Sequence, residues 1–286
     1  MFPMAAFIAG SANNDVLAMV TATAVFAAGG STHIERQEWS FSGIFGTYDK
    51  KQLQRGFGVY KEVCAGCHGL KRIAFRNLSE PGGPEFDVER VKALAATYEV
   101  PAEPDDEGEV KLRPARASDR FPPLFANDQA ARAAQNGALP PDLSVMAKAR
   151  GVPYTGTWYA HPFAMLKDMV VGYQEGGADY TYALLTGYAE APHGAEVPEG
   201  MSYNKAFPGH MIAMAEPLSA DSDIYNDGTP ETVENYARDV AAFLSWTSDP
   251  TLTQRKQTGW YVIFFLIVTS MLLYISKRRI WSSVKH

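Results

Sequence analysis

Thiols are almost absent from this 286-residue chain, and its two cysteines fall within one run, Cys64-Ala65-Gly66-Cys67-His68. A disulfide framework is therefore excluded, and so is a Cys-rich structural zinc site, which needs further thiols. Cations are absent from the N-terminal end: no Lys or Arg precedes Arg36. The apolar stretch 16–30 ends in small residues, as a cleaved export signal does, yet it lacks the basic segment such signals begin with. The same lack excludes an Arg-rich mitochondrial presequence and favours a bacterial chain. No long strand-like alternation occurs, so no major sheet is expected, and there is neither an internal repeat nor a low-complexity tract beyond one acidic patch.

Charge is unevenly spread around the formal net value of −6. Arg255, Lys256, Lys277, Arg278, Arg279 and Lys285 close the chain without an acid, and the first thirty or so residues carry only Asp15, which leaves about −11 between them. That part makes a poor nucleic-acid binder and suits a basic protein partner steered in by long-range attraction. Residues 259–275 read GWYVIFFLIVTSMLLYI, uncharged throughout and close to the length that crosses a hydrocarbon core of about 30 Å. Trp260 and Tyr261 open the run, Tyr274 nearly closes it, and three cations follow. A core helix is rarely apolar on all faces with such an ending, so a membrane span is expected, its basic end cytoplasmic and the large preceding part outside.

From Tyr48-Asp49 onward, Leu53, Phe57 and Tyr60 continue one helical face onto Cys64 and Cys67, which predicts an amphipathic helix delivering both thiols to the core side. Downstream, Thr229-Pro230-Glu231 reads as a cap and first-turn proline for a helix with Val233, Tyr236, Val240, Phe243 and Leu244 inward, ended by Asp249-Pro250. Between them lie Pro-Gly-rich loops and short helices predicted over 88–98, 128–136, 142–150 and 180–186. The acidic run 99–109, EVPAEPDDEGE, is predicted to be a solvated loop.

In Cys-x-x-Cys-His the thiols lie about one helical turn apart, so each can add to one vinyl group of a haem while the following imidazole points at the iron. A dithiol redox pair has no role for the adjacent His68. A second axial ligand would close the iron for electron transfer, whereas an open position would serve small-molecule chemistry. Candidates are Met146, Met165, Met169, Met201, Met211, Met214, His161, His193 and His210, although most methionines are packing residues. Met214 is favoured and Met211 stands second, because Gly209-His210-Met211-Ile212-Ala213-Met214-Ala215-Glu216-Pro217 is an apolar loop bounded by Gly and Pro just before the last soluble helix. The expected organisation is a leader at 1–30, cleaved off, an extracytoplasmic haem domain at 31–255, a membrane helix at 256–276 and a basic cytoplasmic tail at 277–286.

Three stretches carry a family resemblance: Arg55-Gly56-Phe57-Gly58-Val59-Tyr60-Lys61-Glu62-Val63-Cys64, Asn136-Gly137-Ala138-Leu139-Pro140-Pro141-Asp142-Leu143-Ser144, and Leu184-Leu185-Thr186-Gly187-Tyr188. The chain resembles the cytochrome c1 family, the haem-bearing subunits of quinol:cytochrome c oxidoreductases, from about Phe41 to the C-terminus. The resemblance implies a mainly α, class I cytochrome c-like haem domain with long loops and one C-terminal transmembrane helix. It implies one covalent haem c attached at Cys64 and Cys67, with His68 and Met214 on the iron, and no independent catalytic site. It also implies cytochrome b and a Rieske iron-sulfur protein as neighbours in a dimeric complex, a soluble or tethered cytochrome c as acceptor, and membrane lipid around a single span in a bacterial inner membrane with the haem domain in the periplasm. Arg150 matches an arginine that pairs with a haem propionate, and Tyr180 a residue lining the haem pocket. Pro140-Pro141 exposes carbonyls without an N–H, one of which can accept the His68 ring proton. The acidic run matches the family's acidic patches, which attract basic cytochrome c.

The chain departs from the family pattern in an extra aromatic-rich segment at 152–173, with Trp158, Tyr159, His161 and Phe163. Its leader, without a cation, matches no ordinary signal, and synthesis as a fusion behind cytochrome b, as in some bacteria, would account for it. Two rivals stay open at this point. One is another membrane-anchored c-type cytochrome, such as an oxidase subunit or tethered shuttle, and the other is a haem enzyme or sensor with an open sixth site.

Overall fold

The computed structural model describes residues 34–104, 106–152, 156–171 and 176–283, so the expected leader at 1–30 lies outside the described residues. The first helix, α1 (Lys50–Val59), starts where predicted, because the Asp49 carboxylate accepts from Gln52 N at 2.7 Å. Its buried face of Leu53, Gly56 and Phe57 lies on α7 (Val233–Ser248), the principal helix pair of the domain. At Gly56 a side chain would collide with Asp239 O, so the lack of a Cβ sets how closely the two helices approach. The pair is also fastened at its polar edge: Arg55 Nε donates to Asp239 at 2.6 Å, and Tyr225 donates to the same carboxylate at 2.7 Å.

The helix α7 begins three residues later than predicted. The Thr232 hydroxyl accepts from Asn235 N and caps it, while Glu231 turns back to accept from Ile224 N and Tyr225 N. Tyr236, Val240, Phe243 and Leu244 are inward as expected, and Asp249 ends the helix. The helix α2 (Val88–Ala96) stops before Tyr98 because Thr97 Oγ1 bonds back to Leu94 O. The short helix α3 (Asp128–Ala134) is capped by Asn127. The predicted 142–150 helix is instead a 3-10 turn, Leu143–Val145, followed by one α turn, α4 (Met146–Ala149). An eleven-residue helix, α5 (His161–Val171), occupies the extra segment and exposes Phe163, Met165 and Leu166. The helix α6 (Gly177–Thr186) packs on α4 and α7.

The acidic run departs from its prediction as a loop. Its first residues form β1 (Glu99–Pro101), paired antiparallel with β2 (Leu112–Pro114), and Val100 is buried in the core, while Glu103, Asp106, Glu107 and Glu109 are exposed beyond Pro101. A second ribbon pairs β3 (Ser202–Tyr203) with β4 (Met211–Ile212). These two ribbons are the sheets among the described residues, and the fold is mainly α. Beyond Asp249 the chain runs straight into α8 (Leu252–Ile280), whose first residues Leu252 and Thr253 are buried against the domain. Among the described residues the apolar part of α8 stays exposed, touched near its start by the Phe45 ring on Trp260, which fits a membrane span.

Candidate haem site

The Cys-x-x-Cys-His run does not simply continue α1. At Tyr60–Cys64 the helix widens into a π turn, with Ala65 N bonded to Tyr60 O at 2.8 Å. Cys67 N and His68 N then both return to Cys64 O. The expected regular helix through Cys67 is thereby replaced by a wide turn followed by a tight one, a type of irregularity that gathers at functional sites. Cys64 is half-buried and Cys67 is exposed, so the two thiols do not share the core side as predicted. Tyr60 ties both ends of the motif: its carbonyl takes Ala65 N, and its buried hydroxyl donates to His68 O at 3.0 Å.

His68 is held from the other side by the Pro-Pro segment. Its Nδ1 lies 2.7 Å from Pro141 O. A carbonyl only accepts, so Nδ1 carries the proton and the free lone pair resides on Nε2. Burial pushes the imidazole pKa down, opposed by the Pro141 bond, which favours the neutral ring that binds metals. The segment itself is stapled to the turn after His68. Asp142 accepts from Lys71 N at 2.9 Å and from Ser144 N at 3.0 Å, Leu143 N donates to Gly69 O, and Arg72 N donates to Ser144 Oγ. Burial, followed by the neighbouring Cys67, pushes the Cys64 thiol up to about 12. Cys64 therefore stands as a neutral thiol on an apolar wall.

Met214 follows β4. The loop leading to it is organised by Asn204, which is fully buried: Nδ2 donates to Leu184 O on α6, and Oδ1 accepts from Ala206 N and Phe207 N. Asn204 N also donates to His210 O, and the His210 ring is held through Nδ1 by Asn204 O and stacks on Tyr203. The Tyr188 hydroxyl donates to Met214 O at 3.1 Å. The Met214 side chain is partly buried against the core cluster that also receives Cys64, Ala65 and Met146. Of the remaining axial candidates, Met201 and Met165 are exposed, His161 and His193 are exposed, Met211 lies in the β3–β4 ribbon, and the Met169 side chain lies outside the described ones.

Arg150 and Tyr180 lie at the α4–α6 junction, near enough for the guanidinium to act on the hydroxyl. Gly177 makes that junction possible, since a Cβ there would collide with Ala147 O. Tyr180 is buried, and burial raises its hydroxyl pKa while the nearby Arg150 guanidinium works against the rise. Arg150 itself is exposed.

The sequence motif singled out the reactive atoms but not their supports. Tyr60 was legible only as an apolar-face residue, whereas Asp142, Ser144 and Asn204 carried the ordinary signature of turn formers. The donor set fits a c-type haem: two thiols, a neutral imidazole with an open Nε2, and the Met146 and Met214 thioethers packed partly buried against the core cluster. Among the described residues no group of three or more His, Cys, Asp and Glu gathers as a zinc centre would need.

A covalent haem motif presented by a helical domain that continues into an apolar, unpacked C-terminal helix defines a membrane-anchored c-type cytochrome. The model of the Cytochrome C1 family matches residues 39–284, and the chain belongs to that family. It is 45% identical over 261 residues to cytochrome c1 of Blastochloris viridis, covering 91% of this chain and 90% of that one. To cytochrome c1 of Rhodospirillum rubrum it is 42% identical over 292 residues, covering 94% and 97%. It is also 47% identical over 254 residues to the protein named cytochrome b/c1 of Bradyrhizobium diazoefficiens, where the match covers 88% of this chain and only 36% of that protein. A relative in Saccharomyces cerevisiae, 40% identical over 267 residues, is named a haem protein, and covalent haem c is the cofactor of this family.

Proposed function

We propose that this chain relays single electrons from a Rieske iron-sulfur protein to a cytochrome c, as the haem subunit of a dimeric quinol:cytochrome c oxidoreductase built with cytochrome b. Cys64 and Cys67 would hold the haem through thioether bonds, and His68 and Met214 would ligate its iron. The observation that carries the reading is the 2.7 Å contact between His68 Nδ1 and Pro141 O, which fixes the ring with Nε2 free. When bound, haem iron cycles between two oxidation states one electron at a time, and sulfur ligation with burial raises its potential.

The residues around it have assigned tasks. Pro141 fixes the tautomer and azimuth of His68. Arg150 would pair with a propionate through its guanidinium fork, and Tyr180 would line the haem pocket. The exposed acids at the tip of the β1–β2 hairpin, Glu103, Asp106, Glu107 and Glu109, attract a basic cytochrome c. The three cations ending α8 keep that end in the cytoplasm and the haem domain in the periplasm of a bacterial inner membrane. The test is a redox titration followed optically on the complex purified from membranes through this chain. A low-spin, six-coordinate spectrum, no carbon monoxide adduct on reduction, and co-purifying cytochrome b and Rieske protein are expected. A carbon monoxide adduct in the intact complex, or purification without either neighbour, refutes the proposal.

A further inference from the structure

The loop at 42–46 places two large apolar side chains in the open, Ile44 at 50% and Phe45 at 68% exposure, although its stem is well built. Phe41 is buried and packs between Trp39 and Tyr48, with ring centroids 5.5 and 4.9 Å away, and Thr47 N closes the loop on Ser40 O. The exposed pair is therefore held out by an ordered turn.

What lies next to the loop is the start of α8. The Lys256 ammonium donates to Phe41 O at 2.7 Å, Gly43 O at 2.6 Å and Gly46 O at 3.1 Å, so all three of its donors are used inside the loop. One helical turn further on, the Phe45 ring meets Trp260 edge-on at 5.1 Å. Residues 256 and 260 share one face of the helix, so the loop is clamped at Lys256 and its tip reaches down to the level of Trp260. The uncharged stretch 257–276 covers about 30 Å at 1.5 Å per residue, which sets Lys256 at the water edge of the hydrocarbon and Trp260 in the interfacial zone where aromatic residues gather.

We infer that this loop is a second membrane contact of the chain, with Ile44 and Phe45 entering the boundary between lipid headgroups and acyl chains beside Trp260 and Lys256 holding them at that depth. The occupant is lipid, because the patch is continuous with the span through the Phe45–Trp260 contact. A lysine at this position ordinarily reaches for phosphate or water, and here it is spent on fixing the loop. The inference rests on α8 lying in the membrane, and it makes the domain a two-point attachment with a fixed tilt.

The test uses the haem-loaded full-length chain, whose two native thiols are occupied by thioether bonds, in vesicles of phosphatidylcholine and phosphatidylglycerol. Nitroxide labels are placed through Ile44→Cys, Phe45→Cys, Leu266→Cys and Glu89→Cys in separate variants, with the haem spectrum reporting folding. Relaxation by oxygen, which concentrates in lipid, is compared with relaxation by a water-soluble nickel chelate. Labels at 44 and 45 are expected to favour oxygen several-fold, on the same side as 266 and opposite to 89. If 266 favours oxygen while 44 and 45 follow 89, this inference fails and the anchoring stands; if 266 itself follows 89, the anchoring reading fails first. In the complex with cytochrome b, labels at 44 and 45 shielded from both agents would show a protein cover and overturn the assignment to lipid.

Discussion

Two glycines two residues apart on α1 should respond in opposite directions to the same substitution. Alanine is preferred over glycine in a helix interior by about 1 kcal/mol, partly because the unfolded chain loses freedom. At Gly58 an added Cβ would meet only Ile224 Cγ2 at 3.6 Å, an ordinary contact, so Gly58→Ala should stabilise by about 0.5–1 kcal/mol. At Gly56 the Cβ would run into Asp239 O and lie 2.8 Å from Phe243 Cβ, both on the facing helix. Backbone cannot step aside as a flexible side chain can, and overpacking of this kind costs about 1–3 kcal/mol or more. The clash outweighs the propensity gain. Pushing α1 off α7 also strains the Arg55–Asp239–Tyr225 hydrogen bonds, so a net loss of at least about 2 kcal/mol is expected. Followed by haem absorbance in detergent, Gly56→Ala should lower Tm by several degrees and Gly58→Ala should raise it by a few, at about 2–4 °C per kcal/mol for a domain of this size. A Gly56→Ala protein at least as stable as its parent would refute the close-approach argument.

Replacing Met214 with Leu should leave a folded protein whose reduced haem binds carbon monoxide and whose potential falls; an unchanged potential by redox titration removes Met214 from the iron. Asp142→Ala removes the acceptor of two backbone N–H groups, so unfolding should become easier by about 2 kcal/mol, while Asp142→Asn, which keeps a cap oxygen, should lose less; denaturant titration separates them. The Arg113 guanidinium, then Arg116 N, holds the Asp119 pKa near 2, below its ordinary 3.8. The unfolded chain therefore binds the proton first, and this pair's contribution is present above about pH 4 and is lost as pH falls toward 2. Asp119→Asn should lower stability at neutral pH, where the pair contributes, and flatten the acid limb of stability against pH in that window, so that the variant and its parent converge near pH 2.

The parts of the fold that follow from periodicity and caps were legible in the sequence. Leu53 and Phe57 on one helix and Tyr236, Val240 and Phe243 on the other mark the two faces that meet, and the uncharged run before Lys277 marks the span. The haem-binding chemistry was legible because Cys-x-x-Cys-His leaves few alternatives. What failed depends on long-range partners. The π turn at Tyr60–Cys64 arises where the Tyr60 hydroxyl finds His68 O, and a regular continuation of the helix scores equally well by periodicity. The strand at Glu99–Pro101 was hidden in an acidic, Pro-rich composition, because its formation rests on Val100 entering the core and on a partner strand beyond the acids. Thr232 displaced Thr229 as a cap because Glu231 was drawn into bonds with the preceding loop, a competition between neighbours that propensity does not rank.

The link between the site and the membrane runs through one carboxylate. Asp249 is buried at the end of α7, where it accepts from Arg255 at 2.9 and 2.6 Å and pairs with Lys148 at 3.2 Å. Arg255 belongs to the first turn of α8, and Lys148 lies on α4, two residues before Arg150. Burial alone would raise the Asp249 pKa, yet the two cations hold it below the ordinary carboxylate range, so the group stays charged at neutral pH. A buried charge with both partners in place fixes direction more than it adds stability, because desolvation offsets much of the attraction. Removing it would leave Arg255 and Lys148 without their common partner, freeing α8 to swing relative to α4. Asp249→Asn should therefore leave the haem spectrum intact while widening the distribution of distances between labels at 89 and 266, measured by pulsed electron resonance. An unchanged distribution would mean that Leu252 and Thr253 packing and the Lys256 bonds to the 41–46 loop hold α8 without the carboxylate.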